Sequence, residues 1–492
     1  MTLPASATQY RAATIPTVAA QRAAELTRLP NMSRVRDFTV ITRSKAPADI
    51  ATLSAYFRSF GFVVTDQPGR HDLLLHGTFA QAAASARTGF VAASRGTERY
   101  VRTSSAVTFP AKIAALVSGT SFTPGLRAHP LSARRLAEIH GPTSGYGPGD
   151  IAGLYDINPI YAAGVIGTDL NVAIAACSTV NPSDVVNYGA TYGLPPAKIH
   201  YVAVDGTTTE EDGEAVLDAE RVYGTAPGAT IYEYLAPDCT DDELTDMFAK
   251  IAEDDVKYHF AAVSHSYGLD EADYAYFGVP QDIASESAAF AEIAAEHVPI
   301  FVASGDDGAW GDLYENETDV SYPASDPNAI AVGGTSVEEN AVGGRLFEYG
   351  WGDSGGGVSD IFPIPSYQRI AGVASSQFKN LPDVAMLGDP DTGAAEYWAN
   401  NYYGAPPLFA IGGTSVAAPT FTGAWTLVDA VRRKAGLKYP QYSAASIYRV
   451  RGSAFYDVVS GANGFYPAQK GYDNVTGIGA PDVAKLATAP LQ

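Results

Sequence analysis

From Leu170 onward the chain alternates short apolar runs with longer amphipathic ones, and this alternation limits the fold more than any other feature. Leu170–Ala176, Ile199–Val204, Ala229–Leu235, Ala261–Ser264 and Pro299–Ala303 have the length and content of buried strands. Between them, Asp184–Tyr192, Glu214–Tyr223, Asp242–Glu253 and Gln281–His297 carry helical periodicity. Strand then helix, repeated, predicts a parallel sheet covered on both faces, an α/β architecture. In such a sheet, reactive groups gather beyond the carboxyl ends of the strands.

At 492 residues, 46% of them hydrophobic, the chain is too long for one ordinary domain. Residues 1 to about 35 show no periodicity and read as a docking arm. Strands at 38–42, 62–65 and 72–75 and helices at 48–60 and 78–86 follow, with further strands at 89–93 and 99–102, a small antiparallel α+β unit. Residues 121–150, rich in Pro, Gly and Ser and carrying Arg134 and Arg135, read as an exposed linker whose cleavage is expected between His129 and Pro148. The expected division is therefore 1–120, linker 121–150 and 151–492. Charge divides the same way: residues 1–145 hold 17 Lys and Arg against 7 Asp and Glu, and the remainder 15 against 47. Two bodies of opposite sign attract, and the acidic one repels nucleic acid and anionic membranes. No run of about 18 apolar residues predicts a membrane span, and no standard signal peptide is visible at the N-terminus. Cys177 and Cys239 allow one bridge at most.

Gly412–Pro419, GGTSVAAP, places Ser415 between a glycine turn and a predicted helix over 418–431, after the apolar strand PLFAI. Unpaired N–H groups at a helix start stabilise negative charge developing beside that hydroxyl. A second copy, Gly333–Val337, leads into EEN and reads as a strand leaving the sheet. Of eight histidines only His265 falls near a carboxyl end of the sheet, and none heads a helix as a base for Ser415. GEAVLDAE instead sets Glu214 and Asp218 one helical turn apart on one face, and SGDDG puts Asp306 in a glycine-flanked loop after another strand. DSG at Asp353 and DTG at Asp391 are only 38 positions apart, too close for the two lobes of an aspartic peptidase, and read as turns.

GEAVLDAE, SGDDG and GGTSVAAP, in that chain order between a basic N-terminal part and the C-terminal loops, resemble the sedolisins, serine-carboxyl peptidases, in their kumamolisin-like branch. The resemblance implies a subtilisin-like sheet preceded by a ferredoxin-like inhibitory prodomain. It also implies roles: Ser415 as nucleophile, Glu214 as base, Asp218 as its carboxylate partner and Asp306 as the acid facing the oxyanion. At about pH 4 a histidine is protonated, while Glu, with a reference pKa of about 4.3, is still partly ionised. Asp306 must stay protonated to donate, so acid operation follows. SHSYG is similar to the family's substrate-pairing segment, giving Ser266, Tyr267 and Gly268, with Tyr267 where relatives often carry Trp. FYDVVSGANGFYPAQKGYDNVTGIGAP resembles its calcium loop, with one Ca2+ held by Asp457 and Asp473 and by carbonyls of Val458, Gln469 and Gly471. Family members act on proteins and peptides, and a secreted monomer inhibited by its own prodomain is expected. A tripeptidyl-peptidase and an inactive binding protein are the competing readings.

Overall fold

The computed structural model describes residues 25–28, 32–66, 72–95, 98–131, 144–209, 211–277, 279–310, 318–438 and 443–491. Its N-terminal unit runs β1 (Val35–Thr42), α1 (Pro47–Arg58), β2 (Val63–Asp66), β3 (Asp72–Thr78), α2 (Phe79–Ser85) and β4 (Val117–Thr120). The sheet is antiparallel in the order β2-β3-β1-β4, the arrangement of a ferredoxin-like β-α-β-β-α-β unit. A hairpin of Phe90–Arg95 with Glu98–Thr103 is inserted before β4. Of the supposed arm, Glu25–Arg28 pairs with the first strand of that hairpin, and residues 1–24 and 29–31 lie outside the described residues. Alternation along β1 and β3 sends Phe38, Val40, Leu73 and Leu75 inward, where Phe57, Phe62, Phe79 and Phe122 meet them mostly edge to face.

The larger unit is built on β5 (Asn171–Ala176), β6 (Lys198–Ala203), α3 (Glu214–Thr225), β7 (Thr230–Leu235), α4 (Asp241–Tyr258), β8 (Phe260–His265), β9 (Tyr267–Asp270), α5 (Pro280–Ala295), β10 (Ile300–Ala303), β11 (Ala329–Glu339), β12 (Arg345–Gly350) and β13 (Val384–Leu387). The main sheet has the order β6-β7-β5-β8-β10-β11-β12, with β13 also beside β11. All these pairings are parallel except β11 with β12. Chain order reverses around β5, which leaves an opening at the carboxyl ends.

Three readings of the sequence need correction. The PLFAI strand, observed as Leu408–Ile411, pairs antiparallel with Ala394–Tyr397 and stands off the main sheet. The helix after it, α6, starts earlier than its apolar content suggested and runs Thr414–Lys434, so that Pro419 lies inside it as the sixth residue and not in its first turn. The Gly333–Val337 copy does not leave the sheet but lies inside β11. Residues 414–429 of α6 are all buried, so it is a central helix apolar on nearly every side.

The N-terminal unit sits on α4 and α5. Gly119 in β4 comes so close to α5 that a Cβ there would lie 2.8 Å from Ser285 Cα, and Thr120 N donates to Ser285 Oγ (3.2 Å). Arg36 of β1 pairs with Asp242 and lies 3.6 Å from both Asp205 and Asp246. Glu292 of α5 shares a hydrogen bond with Asp72 of β3, and burial together with Asp72 pushes its pKa up to about 10. The linker reading also changes. Ser121, Phe122, Leu126 and Ala128 are buried, because this segment is apolar enough to be held between the two units; residues 132–143, including Arg134 and Arg135, lie outside the described residues. Among the described residues no helix is long and apolar enough to cross a membrane.

Candidate active site

Two glycine turns set up the site. Gly213, at φ 88°, precedes α3, and Gly413, at φ 121°, precedes α6, backbone angles that favour glycine. Glu214 is thereby the first residue of α3 and Ser415 the second of α6. Asp218 follows Glu214 by one turn, and both are buried. Asp306 follows β10 in a loop where Gly305 adopts φ 110°. The four residues expected to act together are thus brought to one end of the sheet by three elements.

Each carboxyl is held differently. Glu214 N donates to Asp212 Oδ1 (3.0 Å), which anchors the start of α3. Asp218 Oδ1 accepts from Ser266 Oγ (2.7 Å). Asp306 Oδ1 accepts from Thr414 N (2.7 Å) and Thr414 Oγ1 (2.8 Å), and Gly305 N donates to the same Thr414 hydroxyl (3.0 Å). Burial first, then the Asp218 charge, pushes the Glu214 pKa well above the ordinary carboxyl range, while the nearby Ser415 hydroxyl pulls it back. Asp218 is pushed up by burial against the opposing Ser266 bond. Two buried carboxyls one helical turn apart each make the other harder to ionise and titrate as a pair.

The Ser415 hydroxyl lies near Glu214, but among the described residues neither carboxyl oxygen of Glu214 has a hydrogen-bond partner. Ser415 Oγ donates to the carbonyl of Leu131 at 2.9 Å. That carbonyl belongs to a strand of the N-terminal part: His129–Pro130 pairs antiparallel with β9, Pro130 opposite Tyr267 and His129 opposite Gly268, and Leu131 N donates to Ser266 O (2.9 Å). Ser266, Tyr267 and Gly268 therefore form one wall of the cleft. Upstream the segment continues without a break, Ala128 N on Cys239 O (2.9 Å) and Leu126 N on Asp241 Oδ2 (2.7 Å). Leu131, Asp270, Ser304, Gly305, Asp306 and Ser321 line one pocket beside Ser415.

Other candidates fall elsewhere. His265 is fully buried, with Nδ1 on Ala175 O (2.9 Å) and its pKa lowered to about 4 by burial, which makes it a core residue. Asp353 and Asp391 stand in a turn and a short 3-10 helix. Three site residues escaped the sequence reading. Asp212, two before Glu214, also accepts from Tyr267 Oη (3.1 Å). Thr414 adjoins the serine inside the quoted motif. Glu233 is the lone charge in the apolar strand TIYEYL; it is wholly buried, and burial, then Asp218, raises its pKa. Cys177 and Cys239 are joined in a disulfide.

At the far end of the chain, Gly471 N donates to both oxygens of Asp457 (3.1 Å each). Asp473 accepts from the backbone of Gln469 (2.9 Å), Val475 (3.0 Å) and Thr476 (2.8 Å). Burial raises its pKa to about 6 against those donors. The loop 469–473 is thus folded between two carboxylates, and the donor set, carboxyls with the carbonyls of Val458, Gln469 and Gly471, is all oxygen. That chemistry fits a hard cation. Among the described residues no group of three or more His, Cys, Asp and Glu is gathered, so backbone carbonyls would supply the remaining ligands.

The subtilase family model matches residues 174–448, more than half of the chain. The chain is 32% identical to kumamolisin of Bacillus sp. (strain MN-32) over 423 residues, covering 78% of this chain and 72% of that protein. It is 29% identical to tripeptidyl-peptidase 1 of Canis lupus familiaris over 309 residues, 57% of this chain and only 52% of that one. Among solved structures, Pseudomonas sedolisin, a serine-carboxyl proteinase complexed with two molecules of pseudo-iodotyrostatin, superposes with a TM-score of 0.62 at 28% identity, covering 71% of this chain and 98% of that one. A serine at the head of a central helix, buried carboxyls beside it, and these relatives over most of the larger unit lead to one conclusion: the chain belongs to the sedolisin family of serine peptidases, built on the subtilase fold.

Proposed function

We propose that the protein is an acid-active serine-carboxyl endopeptidase made as a zymogen. Ser415 attacks the substrate carbonyl, Glu214 takes its proton, Asp218 shares charge with Glu214, and protonated Asp306 donates a hydrogen bond to the oxyanion. The observation that carries this reading is the position of the Ser415 hydroxyl, beside Glu214 and 2.9 Å from a peptide carbonyl laid along Ser266–Gly268. Acid operation follows from the parts: a carboxyl base works where histidine is already charged, and an oxyanion donor made of a carboxyl must keep its proton.

Endopeptidase activity is favoured over tripeptidyl release because the cleft holds chain well beyond three residues on the acyl side, back through Ala128 to Leu126. The same occupancy supports inhibition by the N-terminal unit, whose docked strand excludes other substrates, aided by attraction between a basic and an acidic body. One calcium ion is held by Asp457, Asp473 and the carbonyls of Val458, Gln469 and Gly471; when bound it pins this loop and supplies no step of peptide hydrolysis. The Cys177–Cys239 disulfide suits an extracellular setting. The test is the pH profile of the processed enzyme on a long peptide, with product masses. A bell centred near about pH 4, internal cuts, and loss of activity in Ser415→Ala are expected. Full activity at pH 8, or release of N-terminal tripeptides alone, would count against it.

A further inference from the structure

The segment in the cleft lies in the register of a substrate, and one bond is presented to the nucleophile. Leu131 meets Ser415 through its carbonyl (2.9 Å) and Ser266 through its N–H (2.9 Å), with His129 and Pro130 paired to β9 behind it. Its side chain packs against Gly268, where an added Cβ would lie 3.3 Å from Leu131 Cδ1 and 2.6 Å from the Tyr322 carbonyl oxygen, and Leu131 also lines the pocket beside Ser415. Asp306, the expected oxyanion acid, lines the same pocket. The basic pair Arg134–Arg135, the conspicuous cleavage signal in the sequence, follows this carbonyl in the sequence and lies outside the described residues.

Resting on the reading of Ser415 as nucleophile, we infer that Leu131–Ser132 is the first bond the enzyme cuts in its own chain, and that the space beside Gly268 receives the acyl-side residue of substrates, sized here for leucine. Ser415 Oγ bonds to the Leu131 carbonyl carbon and its proton passes to Glu214. The C–N bond to Ser132 then breaks, the nitrogen takes that proton, and Ser132 leaves as a free amine while Leu131 remains esterified to Ser415. Water adds to the ester and gives a proton to Glu214. Leu131 departs as a carboxylic acid, and the proton returns to Ser415.

The full chain is brought to pH 4 and sampled by intact mass and N-terminal sequencing, alongside Ser415→Ala and Leu131→Asp. The earliest products should be 1–131 and 132–492, absent from Ser415→Ala and at least about tenfold slower to form in Leu131→Asp. A peptide spanning 125–138, given to the processed enzyme, keeps the test independent of how the variants fold. It should be cut after Leu131, and about tenfold or more slowly when that residue is Arg or Asp. First cleavage after Arg134 or Arg135, dependent on Ser415, would overturn the assignment and leave the nucleophile standing. Cleavage that persists in Ser415→Ala, from an enzyme inactive on every peptide, would overturn the reading of the site itself.

Discussion

Asp306 takes two hydrogen bonds from one residue, the amide (2.7 Å) and the hydroxyl (2.8 Å) of Thr414, directly before the nucleophile. Asp306 and Ser415 are therefore positioned by adjacent links of the chain. Thr414→Val keeps the shape but removes the hydroxyl that serves both Asp306 and Gly305 N. At about 1–3 kcal/mol for a buried polar group left unpaired, kcat/KM should fall about 5- to 150-fold, mostly in kcat, with a near-normal Tm. Steady-state kinetics with calorimetry check this.

The Glu214–Asp218 pair gives a second expectation. In the intact chain the strand at 125–131 covers the cleft, and burial is the main reason the Glu214 pKa is raised. A base works only when ionised, so a raised pKa moves the acid limb of the rate profile upward. Removing the strand readmits water and lowers that pKa. The acid limb of self-processing should thus lie at higher pH than the acid limb of kcat/KM for the processed enzyme, and coincident limbs would contradict it.

Arg36 is the main charge of the N-terminal unit at the interface, set among Asp205, Asp242 and Asp246. Burial pushes the Asp205 pKa up to about 9 and that of Asp246 to about 6, in both cases against the pull of Arg36. Arg36→Ala strips the acids of their cation, a change costing about 3–5 kcal/mol for a buried pair. Inhibition by the separated N-terminal unit, measured in trans at pH 7, should weaken by roughly two to three orders of magnitude.

Glu292 and Asp72 work in the opposite sense to net charge. Protonating carboxylates in acid weakens attraction between the two bodies, but a carboxyl whose pKa rises on docking, here to about 10, binds a proton as it docks. Its stabilisation is complete below its ordinary pKa and is lost as pH rises through about 10. This contribution therefore makes the dissociation constant climb with pH all the way from the ordinary carboxyl range to about 10. Glu292→Gln, which needs no proton to hydrogen bond Asp72, should flatten this climb alone.

Calcium removal should lower the Tm of the processed enzyme, since an ion bound only to the native state stabilises it by mass action. Asp473→Asn should abolish the response to added calcium while leaving the pH profile of catalysis in place. Thermal scans with chelator and with added calcium decide it.

The alternation after Leu170 sufficed for the α/β class, since helical and strand periodicities differ and the strands are apolar throughout. Glu214, Asp218, Asp306 and Ser415 were legible because glycine turns and helix starts leave local marks. Tertiary partners leave none. Nothing near Leu131 announces that it lies against Ser415, 284 positions away. The buried segment around Phe122 and Leu126 resembled an exposed linker because it runs into the stretch up to residue 150 that carries Pro, Gly, Ser and a basic pair, while its apolar residues find their partners only in the folded chain. Leu408–Ile411 looked like a main-sheet strand because hydrophobicity reports burial and not the identity of the neighbour.

Since α6 is enclosed from Thr414 to Asp429, the nucleophile is a core residue as much as a site residue. Its placement is inherited from the packing of the whole larger unit and is closed to local adjustment. Diversification of such a peptidase is accordingly left to the surroundings of this machinery, such as residues 268–270 and 319–321, which can be exchanged without moving the serine, Ser266 or Asp306. Chemistry and selectivity are then separable traits, and a lineage can drift widely in what it cuts while the way it cuts stays fixed.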